Sequence, residues 1–454
     1  MRQALDTRHW ALHAIVVLVF GLSIVTVRGA ARGPLRVGAA RVDITPAADA
    51  ALPMAGYAGR TAGFRGIHDH LYVRAIVLVD DTTQAALVAW ESLYVPDAVW
   101  ADTSQRIAAE AGIAPEHLLL SAVHDHGAPS MAGVQTLPQT VAYVASVEAA
   151  AVEAVRRAKA QLQPARFGIG TGRALVNVNR REAVAGRGLW LGFNDEGPSD
   201  KTVTVLRFDD LTGKPLAFWI NYAVHAVVMG PENYQITGDL AGATSRFVEQ
   251  HYLGKDHPRS DGGQLLRLRP EERGASDVVA VWTSGAAGDQ NPLSTTNGED
   301  FTLVDALGKI LGEAAVRAAE QITTTTDASI RGVQTVVTCP GRRVDPGPTP
   351  RAEYTFADSD PVSIRLGLLT INDVALAGVS GEVFTLIAQR LQRESPIAHT
   401  VMVTHTNGSV GYIPNDAGFE PVSYEVTASR LKPGCAEGAI VNGFLDLIGR
   451  GGRR

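Results

Sequence analysis

The chain has 454 residues, 45% hydrophobic and 19% charged, with a formal net charge of −6. This describes a globular protein with a sizeable core, long enough for one large domain or two to three ordinary ones. The mild negative charge, with no basic run interleaved with aromatics, excludes the electrostatic footprint of a nucleic-acid binder.

The first segment reads as a targeting signal. Arg2 and Arg8 precede the apolar run "AIVVLVFGLSIVTV", Ala14 to Val27, and Gly29, Ala30 and Ala31 place small residues before a cut after Ala31. The run falls short of the roughly 20 apolar residues that span a bilayer. An export signal over 1–31 is therefore expected, with a short uncleaved membrane anchor as the alternative. The mature chain is then secreted, periplasmic or otherwise extracytoplasmic.

Next, "PLRVGAARVDITP" alternates apolar and polar residues and ends at Pro46, as a strand would. "HLYVRAIVLVDD" and "QAALVAWESLYV" flank a short polar turn and predict a hairpin. "PDAVWADTSQRIAAEAGI" carries a helical pattern, and "HLLLSAV" reads as a buried strand. Val144, Val147, Ala151, Val155 and Leu162 recur at helical spacing up to Pro164, giving an amphipathic helix. Beyond these, "PLAFWINYAV", "DVVAVWTS", "DVALAGVS" and "HTVMVTH" read as strands. They alternate with the helical patterns "GDLAGATSRFVEQHYL", "TLVDALGKILGEAAVRAAEQI" and "EVFTLIAQRLQ". Strands alternating with helices predict an α/β fold with a mixed, largely parallel sheet flanked by helices. The polar stretch 255–277, rich in charge, Gly and Pro, reads as a surface insertion. Two cysteines, Cys339 and Cys435, either pair or stay free; the sequence leaves both open.

Five segments share one shape, an apolar strand followed by a polar or Gly-rich turn. They are "LLLSAV-HDHGAP", "FWINYAV-HAVVMGP", "VVAVWTS-GAAGDQNP", "VALAGVS-GEVF" and "TVMVTHT-NGSVGYIP". Ligands in open α/β sheets sit outside the carboxyl ends of strands, so these turns can converge on a site there. Together they offer His124, His126, His225, Asp289, Glu382 and Tyr412. Imidazoles combined with a carboxylate are a common way to hold catalytic zinc. If the turn stays extended, His124 and His126, two residues apart, share a face. One of them can bind the metal while the other faces a substrate. Each signal taken singly has a plain structural reading: His225 as a satisfied strand-end histidine, Asp289 bonding its own turn, Glu382 at a helix start, Tyr412 in the core or rim. A rival H-x-H pair, His68 and His70, is not separated from the first by spacing alone.

Taken in order, the motifs resemble the neutral (alkaline, non-lysosomal) ceramidase family, its N-terminal catalytic domain. "GAARVDITP", "PMAGYAG" and "GIHDHLYVRAIVLVD" look like the family's opening, and "LLLSAVHDHGAP" resembles its "ALSATHTHSGP". "NVNRR", "NYAVHAV", "GAAGDQNP", "SGEVFT" and "TNGSVGYIPNDAGFEPVSYE" follow in the family's order, so the likeness runs from Val37 to Tyr424. The resemblance implies zinc as cofactor, held by His124, His225, Glu382 and Tyr412, with His126, Arg180 and Tyr424 at the scissile amide. It sets His68 and His70 aside. It implies hydrolysis of an N-acyl linkage by water activated on zinc, with a lipid or other N-acyl amide as substrate and peripheral contact with a membrane surface. There are departures. Asn291 stands where the family has a serine, and asparagine is no nucleophile, so a covalent serine route is closed while a zinc-water route survives. The family's C-terminal β-sandwich domain is expected to be absent, leaving 32–454 as the catalytic domain. Two other readings stay open: a catalytically silent lipid- or envelope-binding protein of the same fold, and a zinc hydrolase of a non-ceramide amide or ester. The oligomeric state is not legible.

Overall fold

The computed structural model describes residues 33–451 apart from 61, 132–136, 186–187, 254–277 and 346–352. The export segment 1–31 and the insertion 255–277 both lie outside the described residues.

In chain order, β1 (Arg36–Asp43) is followed by the hairpin of β2 (Tyr72–Val79) and β3 (Gln84–Trp90). Then come α1 (Asp97–Ala111), β4 (Leu118–Ala122), α2 (Pro138–Ala160) and β5 (Gln163–Arg173). A second hairpin, β6 (Asn177–Val184) and β7 (Gly188–Asn194), leads to β8 (Thr202–Asp210) and β9 (Pro215–Tyr222). α3 (Asp239–Leu253), β10 (Val279–Ser284), the short β11 (Gln290–Pro292) and α4 (Thr302–Glu320) follow. The long antiparallel arm of β12 (Ile330–Asp345) and β13 (Thr355–Ile371) leads into β14 (Val374–Val379) and the two-residue β15 (Glu382–Val383). The chain closes with α5 (Thr385–Glu394), β16 (His399–Val403), β17 (Tyr412–Ile413), α6 (Tyr424–Ala428) and α7 (Ala436–Gly451).

The main sheet has eight strands in the order β10-β9-β8-β5-β1-β2-β3-β4, and a second has four, β12-β13-β14-β16. Inner-facing residues of both sheets, among them Leu78, Leu87, Trp219, Leu369, Leu376 and Val403, share one core. α1 and α2 bury a second apolar layer against the outer face of the main sheet, and α5 and α7 bury a third against the far face of the second sheet. The layers thus run helix, sheet, sheet, helix, which buries one face of each sheet in the other and the remaining faces under helices.

The fold is mixed α/β as expected, but the sheets are not largely parallel. The main sheet is parallel only at its two ends, β3 with β4 and β9 with β10, and antiparallel through the middle. The second sheet is parallel only between β14 and β16. Each of these three parallel pairs is joined through a crossover helix, and these crossovers are the strand–helix alternation visible in the sequence. Of the antiparallel middle, β1 and the β2–β3 hairpin were expected but β5 and β8 were not, for a physical reason that shows in β5, "QPARFGIGTGR". A Cβ at Gly168 or Gly170 would come within 2.5–2.6 Å of Ile322 or Thr323, and one at Gly172 within 3.1 Å of Ala314. The end of α4 and the turn after it lie directly on the strand backbone, so glycine stands where a period-two reading needs apolar side chains. Cys339 of β12 and Cys435, just ahead of α7, are joined as a disulfide.

Candidate metal centre

The carboxyl ends of the parallel strands meet at one place. Ala122 N donates to His405 O (3.0 Å), His405 N to Gly381 O (3.2 Å) and Thr404 N to Ser284 O (2.9 Å). Ser284 Oγ donates to Val123 O at 3.1 Å. Ends of β4, β10, β14 and β16 are therefore laced together, and the residues that follow them cannot diverge.

His124, two residues past β4, has a φ of 62°, and His405, two past β16, a φ of 54°. The left-handed region is uncommon for residues other than glycine and costs of order 1 kcal/mol or more, so it persists where the surroundings impose it. Both turns bend the chain so that the two imidazoles stack on one another, 4.0 Å between ring centroids. Gly56 makes room for a third imidazole, since a Cβ there would stand 2.1 Å from the His126 ring. Tyr57 packs edge-on against His126, with 4.9 Å between ring centroids.

His124, His126 and His225 bring one nitrogen each within 4.8 Å of one another. Glu382 joins them: its Oε2 is 3.3 Å from His124 Nε2 and 3.4 Å from His225 Nε2. His126 Nε2 is 3.4 Å from His124 Nε2. Ligands about 2.0–2.1 Å from a tetrahedral zinc are separated by roughly 3.3–3.4 Å, the edge of that tetrahedron. Three donor separations on this chain have that length. Glu382 Oε2 and both ring nitrogens of His225 are buried with no hydrogen-bond partner, the state of ligand atoms rather than of structural polar groups. His124 Nδ1 faces the Leu93 carbonyl at 2.9 Å, which turns Nε2 toward the centre. The chemistry of the set, neutral nitrogens with one carboxylate, suits zinc.

The electrostatics agree. Burial, with Arg180 and His124 nearby, brings the His225 imidazole down to about 3. Burial and the neighbouring imidazoles also hold His126 well below the ordinary histidine range. Burial by itself would raise the Glu382 carboxyl; the facing His124 outweighs it, with His225 and His405, and holds it well below the usual range.

Arg180, on β6, sits beside this cluster at the hub of a polar relay. Its Nε donates to Glu425 Oε1 (2.7 Å), its Nη2 to the Tyr412 hydroxyl (2.9 Å) and its Nη1 to Asn291 Oδ1 (3.3 Å). Tyr412 pairs in register with Glu382 across β15 and β17, which sets its ring next to the carboxylate. Tyr424, the first residue of α6, lies with its ring 5.9 Å from that of Tyr412 and 5.6 Å from Trp190. All seven residues named from the sequence thus fall in one neighbourhood, and His126 stands closer to the donor set than a purely substrate-facing group requires.

Three further residues fall elsewhere. Asp289 is buried outside the donor set: its Oδ1 accepts from Thr385 N (3.0 Å) and Thr385 Oγ1 (2.8 Å), tying down the start of α5. His68 stacks on Phe301 at 3.6 Å and pairs with Asp69, while His70 pairs with Asp43; neither reaches the cluster. His405 is the residue the sequence reading missed. It is 1% exposed, stacks on His124 at 4.0 Å, and neither ring nitrogen has a hydrogen-bond partner. Its only signal was a histidine at the end of the strand half of one of the five segments, "TVMVTHT". Glu425 and Trp190 gave no such signal.

The family model described as neutral/alkaline non-lysosomal ceramidase, N-terminal, matches residues 35–302. A neutral ceramidase of Drosophila pseudoobscura pseudoobscura is 28% identical over 244 residues, 49% of this chain and 33% of that protein. Neutral ceramidase B of Dictyostelium discoideum is 27% identical over 278 residues, 57% of this chain and 35% of that protein. The matched stretch thus spans about a third of the length of these curated relatives. The crystal structure of the neutral ceramidase from Pseudomonas aeruginosa shares the fold, with a TM-score of 0.70 over 93% of this chain and 75% of that one, at 19% identity.

Proposed function

The chain belongs to the neutral/alkaline non-lysosomal ceramidase family, and from that premise we propose that it is an exported, zinc-dependent hydrolase of an N-acyl amide, with ceramide the first substrate to test. The observation that carries this reading is the convergence of His124, His126, His225 and Glu382, with three donor separations of tetrahedral-edge length.

His124, His225 and Glu382 would hold the ion, with Tyr412 on the adjoining strand and His126 flanking it. Zinc bound there supplies a Lewis acid and an activated water at neutral pH. The chain's own groups do the rest. Arg180, whose guanidinium stays charged because Tyr412 and Glu425 outweigh the opposing effect of burial, supplies a fixed cation beside the place where a substrate carbonyl gathers negative charge. Tyr424 keeps its phenol protonated, since burial pushes its titration up, and so can donate a hydrogen bond there. His126, held neutral by burial, has the protonation state to accept the proton released by the attacking water and then hand it to the departing nitrogen. Asn291 cannot act as a nucleophile, which supports attack by water.

The test joins metal content with turnover. Elemental analysis of protein made with ample zinc should give one zinc per chain, lost in His124→Ala, His225→Ala and Glu382→Ala. The wild type should release fatty acid from a fluorescent ceramide or from another member of an N-acyl amide panel. Zinc-free wild type, or zinc-loaded protein inert across the panel, would overturn the reading.

A further inference from the structure

We propose that Asn291 contacts the substrate, its side-chain Nδ2 donating a hydrogen bond to an oxygen of the bound acyl group; this rests on the amide-hydrolase reading above. Three observations carry it. First, the carboxamide's orientation is fixed. Arg180 has donors only, so the Asn291 atom facing its Nη1 at 3.3 Å is Oδ1, and the NH2 group occupies the other edge. Second, the side chain lies on the site's side of β11. The neighbouring Gln290 turns the opposite way, its Nε2 donating to Pro198 O (2.8 Å) and its Oε1 accepting from Ser199 Oγ (2.7 Å). Alternation along the strand then places Asn291 on the face of the Arg180 guanidinium. Third, β11 is bound to the metal centre on two flanks: His225 N donates to Gln290 O at 3.4 Å and Arg180 N to Asp289 O at 2.9 Å. The same guanidinium that holds Oδ1 holds the Tyr412 hydroxyl with its other terminal nitrogen.

The consequence is a neutral donor aligned by a fixed cation. Nδ2 has no hydrogen-bond acceptor on the chain among the described contacts, and the residue is half-buried rather than sealed. An acyl oxygen next to the metal needs donors that strengthen as its charge grows. An asparagine amide, already oriented, offers one without adding charge to the cleft.

Two variants test this on the zinc-loaded, full-length protein with its best amide substrate. Asn291→Ala removes the side chain; Asn291→Asp keeps its shape and its acceptor toward Arg180 but has no N–H. Both should lose about 10- to 100-fold in kcat/KM, mostly in kcat, with zinc content and Tm unchanged. Either variant within threefold of wild type overturns the proposal, as does a loss explained by missing zinc or a lowered Tm in both. If the wild type itself holds zinc and turns over amide, the hydrolase reading stands whatever the variants do. If it does neither, that reading fails and the role of Asn291 falls with it.

Discussion

His225 carries a consequence for acid stability. Its imidazole titrates near 3 in the folded chain against 6.5 unperturbed, chiefly because it is buried. Between those values the unfolded chain takes up a proton that the folded chain refuses, so this contribution is complete above pH 6.5 and shrinks as the pH falls toward 3. At pH 5 the difference is about 2 kcal/mol, and His126 and His405 act in the same direction. Urea unfolding of chelator-treated protein should therefore show a markedly lower midpoint at pH 5 than at pH 7.5, and equal midpoints would refute the assignment. Tyr424 lends itself to a single-atom test. Its ring lies 5.9 Å from that of Tyr412, whose hydroxyl accepts from Arg180. Tyr424→Phe should keep zinc and Tm while kcat drops on the order of 10²–10³, as for loss of an oxyanion donor; steady-state kinetics reading only a few-fold drop would reduce Tyr424 to packing. At this scale the sequence was informative wherever a ligand type ended a readable strand, as at His124, His225 and Glu382. His405 escaped because "VTHT" reads as more strand; the left-handed turn that aims its ring inward leaves no mark on composition. Glu425 and Asn291 are both held by Arg180, and such a partnership between distant residues cannot be read along the chain.

Among the elements, the disulfide has the most to hold. It closes a segment of 96 residues between β12 and α7, and Glu382, His405, Tyr412 and Tyr424 all lie within it. Constraining a loop of that length removes up to about 4–5 kcal/mol of unfolded-state freedom, with 2–5 kcal/mol the common measured range. The Cys339→Ser, Cys435→Ser double variant should unfold at lower urea by that amount, and an unchanged midpoint would show the bond idle. α5 gives a smaller and more local test. Asp289→Ala strips the acceptor from Thr385 at its first turn and should cost about 1–2 kcal/mol, as the loss of a cap does, in the same unfolding assay. The elements easiest to foresee were those with uninterrupted patterns: the β2–β3 hairpin, α2, α4 and the crossover units. The arm of β12 and β13 went unread because much of it is only half-buried, so no apolar alternation stands out. The three crossovers suggested a parallel sheet; the antiparallel β5 between them carries glycine where the end of α4 and the turn after it press close.

For the molecule as a whole, no helix among the described residues is long and apolar enough to cross a membrane. The proposed export rests on the sequence of 1–31, and N-terminal sequencing of protein recovered outside the cytoplasm should read from about Arg32; an intact Met1 in the membrane fraction would favour the anchor. The family match stops at residue 302, yet the centre does not. Asn407 bonds Leu120 and Leu118, 287 and 289 positions earlier, at 2.8 and 3.0 Å, and the imidazole that stacks on His124 arrives with the same turn. During synthesis, the first histidines leave the ribosome long before the carboxylate and the turn that complete their site. Contacts so distant in sequence form late, because the intervening chain must be closed first. A nascent chain of this protein therefore lacks the complete donor set that the folded one presents. Under the zinc reading proposed above, acquisition of the ion would be a last step, and it would report that the entire sheet-on-sheet core has already come together.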